Sequence, residues 1–147
     1  MSYGKQDRQS GEFLETIEVP LRTPSEQLRC YKISKRFDQD ISAVCGCFNV
    51  ATIDGSVVGA RIAFGGMAGI PKRAHNLEER LLGEPWSMST IERCSDAFDL
   101  DFTPLSDMRG SAHYRRLTAQ NLLKKYHLET SCGSTATRLV GPNAVSP

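Results

Sequence analysis

The stretch ISAVCGCFNVATIDGSVVGARIAF, residues 41–64, decides the fold of this chain. Valine, isoleucine and phenylalanine, which favour β-strands, are concentrated in both of its halves. Between the halves stands Asp54-Gly55, and both residues tolerate the positive φ that a two-residue hairpin turn requires. We therefore predict an antiparallel hairpin with strands at residues 41–53 and 57–64.

Two further strands are predicted before the hairpin. Residues 29–35 form one of them. Residues 13–19 form the other, because Phe13 and Ile17 fall on one face in an imperfect alternation with polar residues. Pro20 ends this strand, since proline has no N–H for the sheet ladder. The four segments together predict an antiparallel meander of three to four strands.

Helical spacing replaces the strand pattern in the second half of the chain. Pro71 suits the first turn of a helix that ends at Gly83. Ser89 and Glu92 fit a capping box at the start of a second helix. A third helix is predicted at about residues 110–127. Strands followed by helices indicate an α+β fold, with three helices packed on one face of the antiparallel sheet.

An arginine interrupts the inner stripe of the last predicted helix. Arg116 shares this stripe with Ala119 and Leu123. An arginine that points into a core requires an acidic partner, and Asp107 and Asp40 are the candidates. A structural ion pair is the favoured interpretation.

Composition limits the class of protein. The chain has 147 residues, of which 39% are hydrophobic and 24% charged, as in one ordinary globular domain. We assign residues 12–129 to this domain, residues 1–11 to a disordered lead-in and residues 130–147 to a disordered tail. A net charge of +1 gives no electrostatic case for binding nucleic acid, for which a basic face would be expected. No apolar run reaches the roughly 18 residues of a membrane span.

The five cysteines are Cys30, Cys45, Cys47, Cys94 and Cys132. They are scattered and include no CxxC pair, so the spacing predicts no zinc or iron–sulfur site. Cys45 and Cys47 would share one face of a strand. A metal or redox pair there is one interpretation, and small buried strand residues are the favoured one. Reduced cysteines indicate a cytoplasmic protein.

A charged run, residues 31–41, joins the second predicted strand to the hairpin. Lys32 lies within that strand, where a lysine is either on the solvated face or a ligand for an anionic group. Lys35, Arg36 and Asp40 belong to a set of charges that can form surface salt bridges of small stabilising effect. The same charges could instead dock a neighbouring domain.

Two other candidate motifs are weak. Gly65-Gly66 lacks the spacing of either common phosphate-binding loop, and a strand exit or close packing is favoured. His75, His113 and His127 share no ligand spacing. Residue by residue, the sequence therefore predicts no catalytic residue and no metal site.

Three segments in this order carry a resemblance to a known family. They are YKISKRFDQDISAV at residues 31–44, ARIAFGGMAGIPKRA at 60–74 and DFTPLSDMRGSAHYRR at 101–116. Together they closely resemble the C-terminal domain of the FAD subunit of molybdenum hydroxylases, the family of xanthine dehydrogenase and carbon monoxide dehydrogenase. The first two segments are most similar to the small subunit of bacterial xanthine dehydrogenases. The resemblance extends over about residues 13–126.

The resemblance implies an α+β sandwich that closes over a flavin bound mainly by a preceding domain. By position, Leu14 and Lys32 would contact the FAD, and Arg36 would belong to a charged cluster near the flavin entrance. In the complete enzyme, electrons from xanthine or hypoxanthine pass from molybdenum through iron–sulfur clusters to FAD and then to NAD. The implied partners are the FAD-binding and iron–sulfur domains and the molybdenum-binding large subunit.

The iron–sulfur domain and the main FAD-binding domain of that family have no counterpart in this sequence. We therefore expect a separated domain or a truncated reading frame that does not retain FAD by itself. The alternative hypothesis is a non-catalytic module that docks subunits, with the charged run as its contact.

Overall fold

The structure, a computed structural model, describes residues 4–21 and 26–131. Within these residues, one antiparallel sheet has its strands in the order of the chain, β1-β2-β3-β4. The strands are β1 (Arg29–Ile33), β2 (Val44–Ile53), β3 (Ser56–Gly65) and β4 (Lys72–Arg73). The predicted α+β class, with an antiparallel sheet followed by helices, is confirmed.

Four helices follow the sheet in the part of the chain that the structure describes. They are α1 (His75–Leu81), α2 (Met88–Arg93), α3 (Ala97–Asp101) and α4 (Ala112–Ser131). The single helix predicted in the middle is divided into α2 and α3. All four helices contribute buried residues to the same core as β2 and β3, so they cover one face of the sheet.

The central hairpin forms as predicted. Asp54 has φ 50° and Gly55 has φ 77°, the left-handed values that a tight turn of this hand requires. Residues of β2 are alternately buried and half-buried. The alternation places Val44, Phe48 and Val50 against the helices and leaves the intervening residues on the other face.

Aromatic rings fill the centre of the core. Phe48 is fully buried and packs on Phe64, on Tyr31 and, in a stacked arrangement, on Tyr126 of α4. The Tyr126 hydroxyl accepts the N–H of Val50 at 3.0 Å and donates to a backbone carbonyl at 2.9 Å. A buried hydroxyl with both roles filled can remain in an apolar core, so this residue fixes α4 to the sheet.

The strand predicted at residues 13–19 is wrong. The described residues 4–21 contain no strand, and the side chains of Phe13, Leu14 and Ile17 are 74–80% exposed. A period of two residues specifies a strand only if a neighbouring strand pairs with it, and β1 is the edge of the sheet here.

Two predicted helix starts are also wrong. Pro71 does not begin a helix, because Lys72–Arg73 pairs with β3 first and α1 begins at His75. The Asp101 carboxylate accepts the N–H of Asn76 and of Leu77 and so satisfies the first turn of α1. The cap of α2 is Ser87, whose hydroxyl accepts the N–H of Thr90, rather than Ser89.

The predicted tail overlaps the end of α4, which extends to Ser131. The rest of that tail, residues 132–147, lies outside the described residues, and so do residues 1–3 of the predicted lead-in. Within residues 4–21 and 26–131, no helix combines the length and apolar character needed to cross a bilayer.

Candidate functional site

The sheet face that is turned away from the helices, here called the open face, carries Lys32. In the ladder Lys32 lies opposite Cys45, and Cys45 lies opposite Gly65. Paired residues of neighbouring strands point to the same side of a sheet. By the same register the open face also carries Cys30, Cys47, Asn49, Arg61 and Ala63.

Lys32 is surrounded by small residues. It is exposed, and among the described residues no hydrogen bond or ion pair engages its ammonium group. Cys45 and Gly65 beside it have little or no side chain, so a flat group can approach the sheet closely. An unpaired ammonium above such a surface can bind an anionic or hydrogen-bond-accepting ligand.

The charged loop, residues 34–42, is folded on itself by its own charges. The Asp40 carboxylate accepts the backbone N–H of Arg36 at 2.9 Å and lies 3.6 Å from the Arg36 guanidinium. The backbone N–H of Arg36, and then its charge, lower the pKa of Asp40. The Arg36 side chain remains 73% exposed, so it stands at the surface of the loop.

A cleft of about 450 Å³ separates the charged loop from the turn at residues 107–110. Its lining includes Ile33, Ala43 and Tyr114. The Lys35 ammonium donates to the backbone carbonyl of Met108 at 2.6 Å and ties the two sides together. This contact already uses Lys35, whereas Lys32 on the neighbouring strand is unengaged among the described residues.

Arg115 joins the ends of the two loops that border the sheet. Its buried guanidinium donates to the Asp107 carboxylate at 2.6 Å, to the carbonyl of Gly66 at 2.8 Å and to that of Ala43. The backbone N–H of Arg109, and then the Arg115 guanidinium, hold the pKa of Asp107 below its usual value. One side chain therefore positions the charged loop relative to β3 and α4.

The prediction of Arg116 as the inward arginine is wrong by one residue. Arg116 lies at the surface, 2.8 Å from Asp99, and Arg115 is the buried arginine. The buried members Ala119, Leu122 and Tyr126 of α4 are four, seven and eleven residues beyond position 115, which is the spacing of one helix face. Ala119 and Leu123, which are also buried, are three and seven residues beyond position 116, so helical spacing alone does not separate the two arginines.

Gly65-Gly66 is a strand exit, as favoured from the sequence. Gly66 has φ 80°, and a Cβ atom placed on it would lie 2.3 Å from the carbonyl oxygen of Ala43. A larger residue would therefore collide with the carbonyl that Arg115 binds.

The structure places the three predicted site residues in different environments. Lys32 is on the open face, Arg36 is on the charged loop, and Leu14 is 74% exposed in the segment 4–21. Among the described residues, the hydrogen bonds of that segment are internal to it and none joins Leu14 to the sheet. The roles of Leu14, Lys32 and Arg36 at a flavin stay predictions.

The family model described as CO dehydrogenase flavoprotein C-terminal domain matches residues 29–130. Nicotinate hydroxylase of Emericella nidulans is 31% identical, covering 84% of this chain and 10% of its own length. Xanthine dehydrogenase 1 of Arabidopsis thaliana is 28% identical, covering 89% of this chain and 10% of its own length.

A solved structure with the same fold is carbon monoxide dehydrogenase from Hydrogenophaga pseudoflava. It superimposes with a TM-score of 0.66 at 24% identity, over 73% of this chain and 37% of that chain. The chain thus spans 10% of the length of these curated relatives and 37% of the matching structure. The resemblance read from the sequence, to the C-terminal domain of a molybdenum hydroxylase FAD subunit, is confirmed.

Proposed function

The chain belongs to the CO dehydrogenase flavoprotein C-terminal domain family, and from this premise we propose that its open face forms one wall of a shared FAD site. A separate FAD-binding domain supplies the remaining walls. The observation that carries the proposal is the exposed Lys32 among small neighbours, at the position that the family resemblance assigns to a flavin contact.

The residues present fit a flavin in their chemistry. The Lys32 ammonium can donate hydrogen bonds and offset negative charge, and Cys45 and Gly65 leave room for a planar ring beside it. Leu14 would add an apolar contact if a neighbouring domain folded residues 4–21 over the ring. FAD, when bound, supplies the hydride and electron transfer chemistry, which the protein tunes by charge and hydrogen bonding.

The complete enzyme, in this proposal, is most similar to a bacterial xanthine dehydrogenase. Its partners are iron–sulfur and FAD-binding domains and a molybdenum-binding large subunit. Electrons from xanthine or hypoxanthine reach the shared flavin and pass to NAD in the cytoplasm. Arg36 is exposed on the charged loop, and the proposal assigns it to the flavin entrance.

A binding titration tests the shared site. FAD fluorescence and absorbance are followed as the chain is added, first alone and then together with the FAD-binding polypeptide of the same organism. We expect weak or no binding to the chain alone and retention of FAD by the pair. Tight one-to-one binding by the chain alone would contradict an incomplete pocket.

Substitution tests the assigned lysine. Lys32→Ala in the reconstituted enzyme should lower FAD retention and NAD reduction, because the ammonium group is lost from the pocket. Arg61→Ala is the matched control, an exposed charge on the open face about 13 Å further along the sheet from the Lys32 row. If Lys32→Ala behaves like Arg61→Ala, the assignment of Lys32 is wrong.

A subunit-docking module is the second candidate function. The observation in its favour is an exposed apolar set around the charged loop, where Phe37 is 89%, Ile41 64% and Met108 82% exposed. Apolar side chains beside an exposed Arg36 are typical of a contact surface between proteins.

Charge reversal separates the two candidates. Arg36→Glu should prevent assembly if docking is the function, and should leave assembly intact while altering flavin properties if the entrance role is correct. Lys35→Glu is a less specific variant, because the Lys35 ammonium already binds Met108 within the domain.

A further inference from the structure

Three thiols lie together on the open face. Cys30 of β1 is directly opposite Cys47 of β2, and Cys45 is two residues before Cys47 on the same strand. Cys30 is exposed, and Cys45 and Cys47 are half-buried. The sequence spacing showed only the pair on β2; the strand register adds the third thiol and makes Cys30 the cross-strand neighbour.

The register permits one disulfide and disfavours the others. Directly opposite residues in antiparallel strands have Cα atoms about 4.5–5.5 Å apart, within the roughly 4.4–6.8 Å range of disulfides. Cys45 is diagonal to Cys30, where the separation is about 7–8 Å. Within the described residues, no group of three His, Cys, Asp or Glu side chains is arranged to hold a metal ion.

We propose that Cys30 and Cys47 are a modification site, in which the two cysteines form a cross-strand disulfide with each other. The oxidant is a small disulfide such as oxidised glutathione. This inference does not depend on the proposed flavin site, because it rests on the strand register and the exposure of Cys30 alone.

The reaction is two successive thiol–disulfide exchanges. The Cys30 thiolate attacks one sulfur of oxidised glutathione, the glutathione S–S bond breaks, and one glutathione thiol leaves. The deprotonated Cys47 sulfur then attacks the Cys30 sulfur of the mixed disulfide and releases the second glutathione thiol. Two protein thiols and one oxidised glutathione give one protein disulfide and two reduced glutathiones.

The environments of the two sulfurs set this order. Cys30 is accessible to a small molecule in solution. Burial, followed by interactions with the thiols of Cys30 and Cys45, raises the pKa of Cys47 to about 12. Cys47 is therefore a slow nucleophile toward reagents in solution but is next to the sulfur that it must attack.

The disulfide would change the part of the molecule that carries Lys32 and the charged loop. It would fix β1, the edge strand, to β2 and close a covalent ring around residues 30–47. Fraying of the edge strand, to which Lys32 belongs, would then be suppressed.

The test equilibrates the 147-residue chain in glutathione buffers of increasing oxidised fraction. Free thiols are then blocked and the intact and trypsin-digested masses are measured. The expected product is a cross-link between the tryptic peptides 30–32 and 37–61. Because peptide 37–61 contains both Cys45 and Cys47, serine variants identify the partner.

Cys30→Ser and Cys47→Ser should each lower the yield of cross-link at least tenfold. Cys45→Ser, the matched control, should retain the wild-type redox midpoint within about twofold in glutathione ratio.

The rate at which the mixed disulfide closes should increase about tenfold per pH unit between pH 7 and 9, since the fraction of Cys47 thiolate sets this rate. Circular dichroism checks that each variant is folded.

Persistence of the cross-link in Cys47→Ser would overturn the pairing. Accumulation of glutathione on Cys30 without closure, in a folded chain, would overturn the proposal as a whole.

Discussion

Alternate residues of β2 lie in opposite environments on the two faces of the sheet. On the helix-covered face, Val44, Phe48 and Val50 are at most 5% exposed. On the open face, Cys45, Cys47 and Asn49 are half-buried, and none of the four helices in the described part of the chain covers them. The difference indicates that stability is concentrated on one side of the sheet, which leaves the other side free to carry the three thiols and a lysine that has no partner among the described residues.

The largest loss of stability is expected from a cavity on the helix-covered face. Phe48→Ala removes a ring that packs on three other aromatic rings, and should lower the free energy of unfolding by about 3–5 kcal/mol. Asn49→Ala, one residue away on the open face, is the control and should cost less than about 1 kcal/mol. Urea denaturation measures both, and equal losses would remove the distinction between the faces.

The second largest loss of stability is expected at the border between the two faces of the sheet. Arg115→Met removes the guanidinium that donates to the Asp107 carboxylate and to the carbonyls of Ala43 and Gly66, and should cost about 2–4 kcal/mol. Arg116→Met removes an arginine whose ion pair with Asp99 is partly exposed, and should cost at most about 1 kcal/mol. A larger loss from Arg116→Met in urea denaturation would show that the ion-pair assignment is reversed.

Between pH 7.5 and 5, a pH-dependent change in stability is expected from His127, on the helix-covered side of the sheet. Burial lowers the pKa of His127, which packs against Trp86. In the unfolded chain the pKa of a histidine is about 6.5. The contribution of neutral His127 to stability is therefore complete above pH 6.5, and it is lost as the pH falls through the lower pKa of His127 in the folded chain. The free energy of unfolding should therefore fall between pH 7.5 and 5.

His127→Phe should flatten this fall, and His113→Phe, which changes an exposed histidine of the same helix, should leave it unchanged. Equal slopes in all three proteins would show that His127 does not contribute to the pH dependence.

The smallest effect on stability is expected at the candidate site. Lys32→Ala removes an exposed side chain with no bond among the described residues, so the free energy of unfolding should change by less than about 0.5 kcal/mol. Thermal or urea denaturation measures this directly. A loss of more than about 1 kcal/mol would mean that Lys32 supports the fold, and its effect on flavin retention would then require correction for stability.

Much of the fold was predictable because its signals are local. The turn at Asp54-Gly55 and the strands on either side follow from backbone preference and side-chain spacing within a few residues. The apolar positions Leu77, Leu81 and Leu123 of the helices were identified by helical spacing, and all three are fully buried. The candidate site was predictable only in part, because Lys32 was found through the family resemblance rather than through a chemical pattern.

The errors occurred where a distant partner decides the outcome. Residues 13–19 have a strand pattern but no strand beside them among the described residues. Pro71 precedes a short strand rather than a helix because β3 offers an edge to Lys72–Arg73. Asp101, from α3, caps α1 in place of a local residue.

The hairpin, the order of strands before helices and the family follow from the order of amino acids, because each depends on residues that are adjacent along the chain or matched in order. In contrast, the three-dimensional fold was needed to show that Cys30 lies opposite Cys47 and that Arg115, rather than Arg116, enters the core. The physical reason is that strand register and helix rotation are fixed by packing of the whole covered face, and a shift of one residue reverses which side chains are buried.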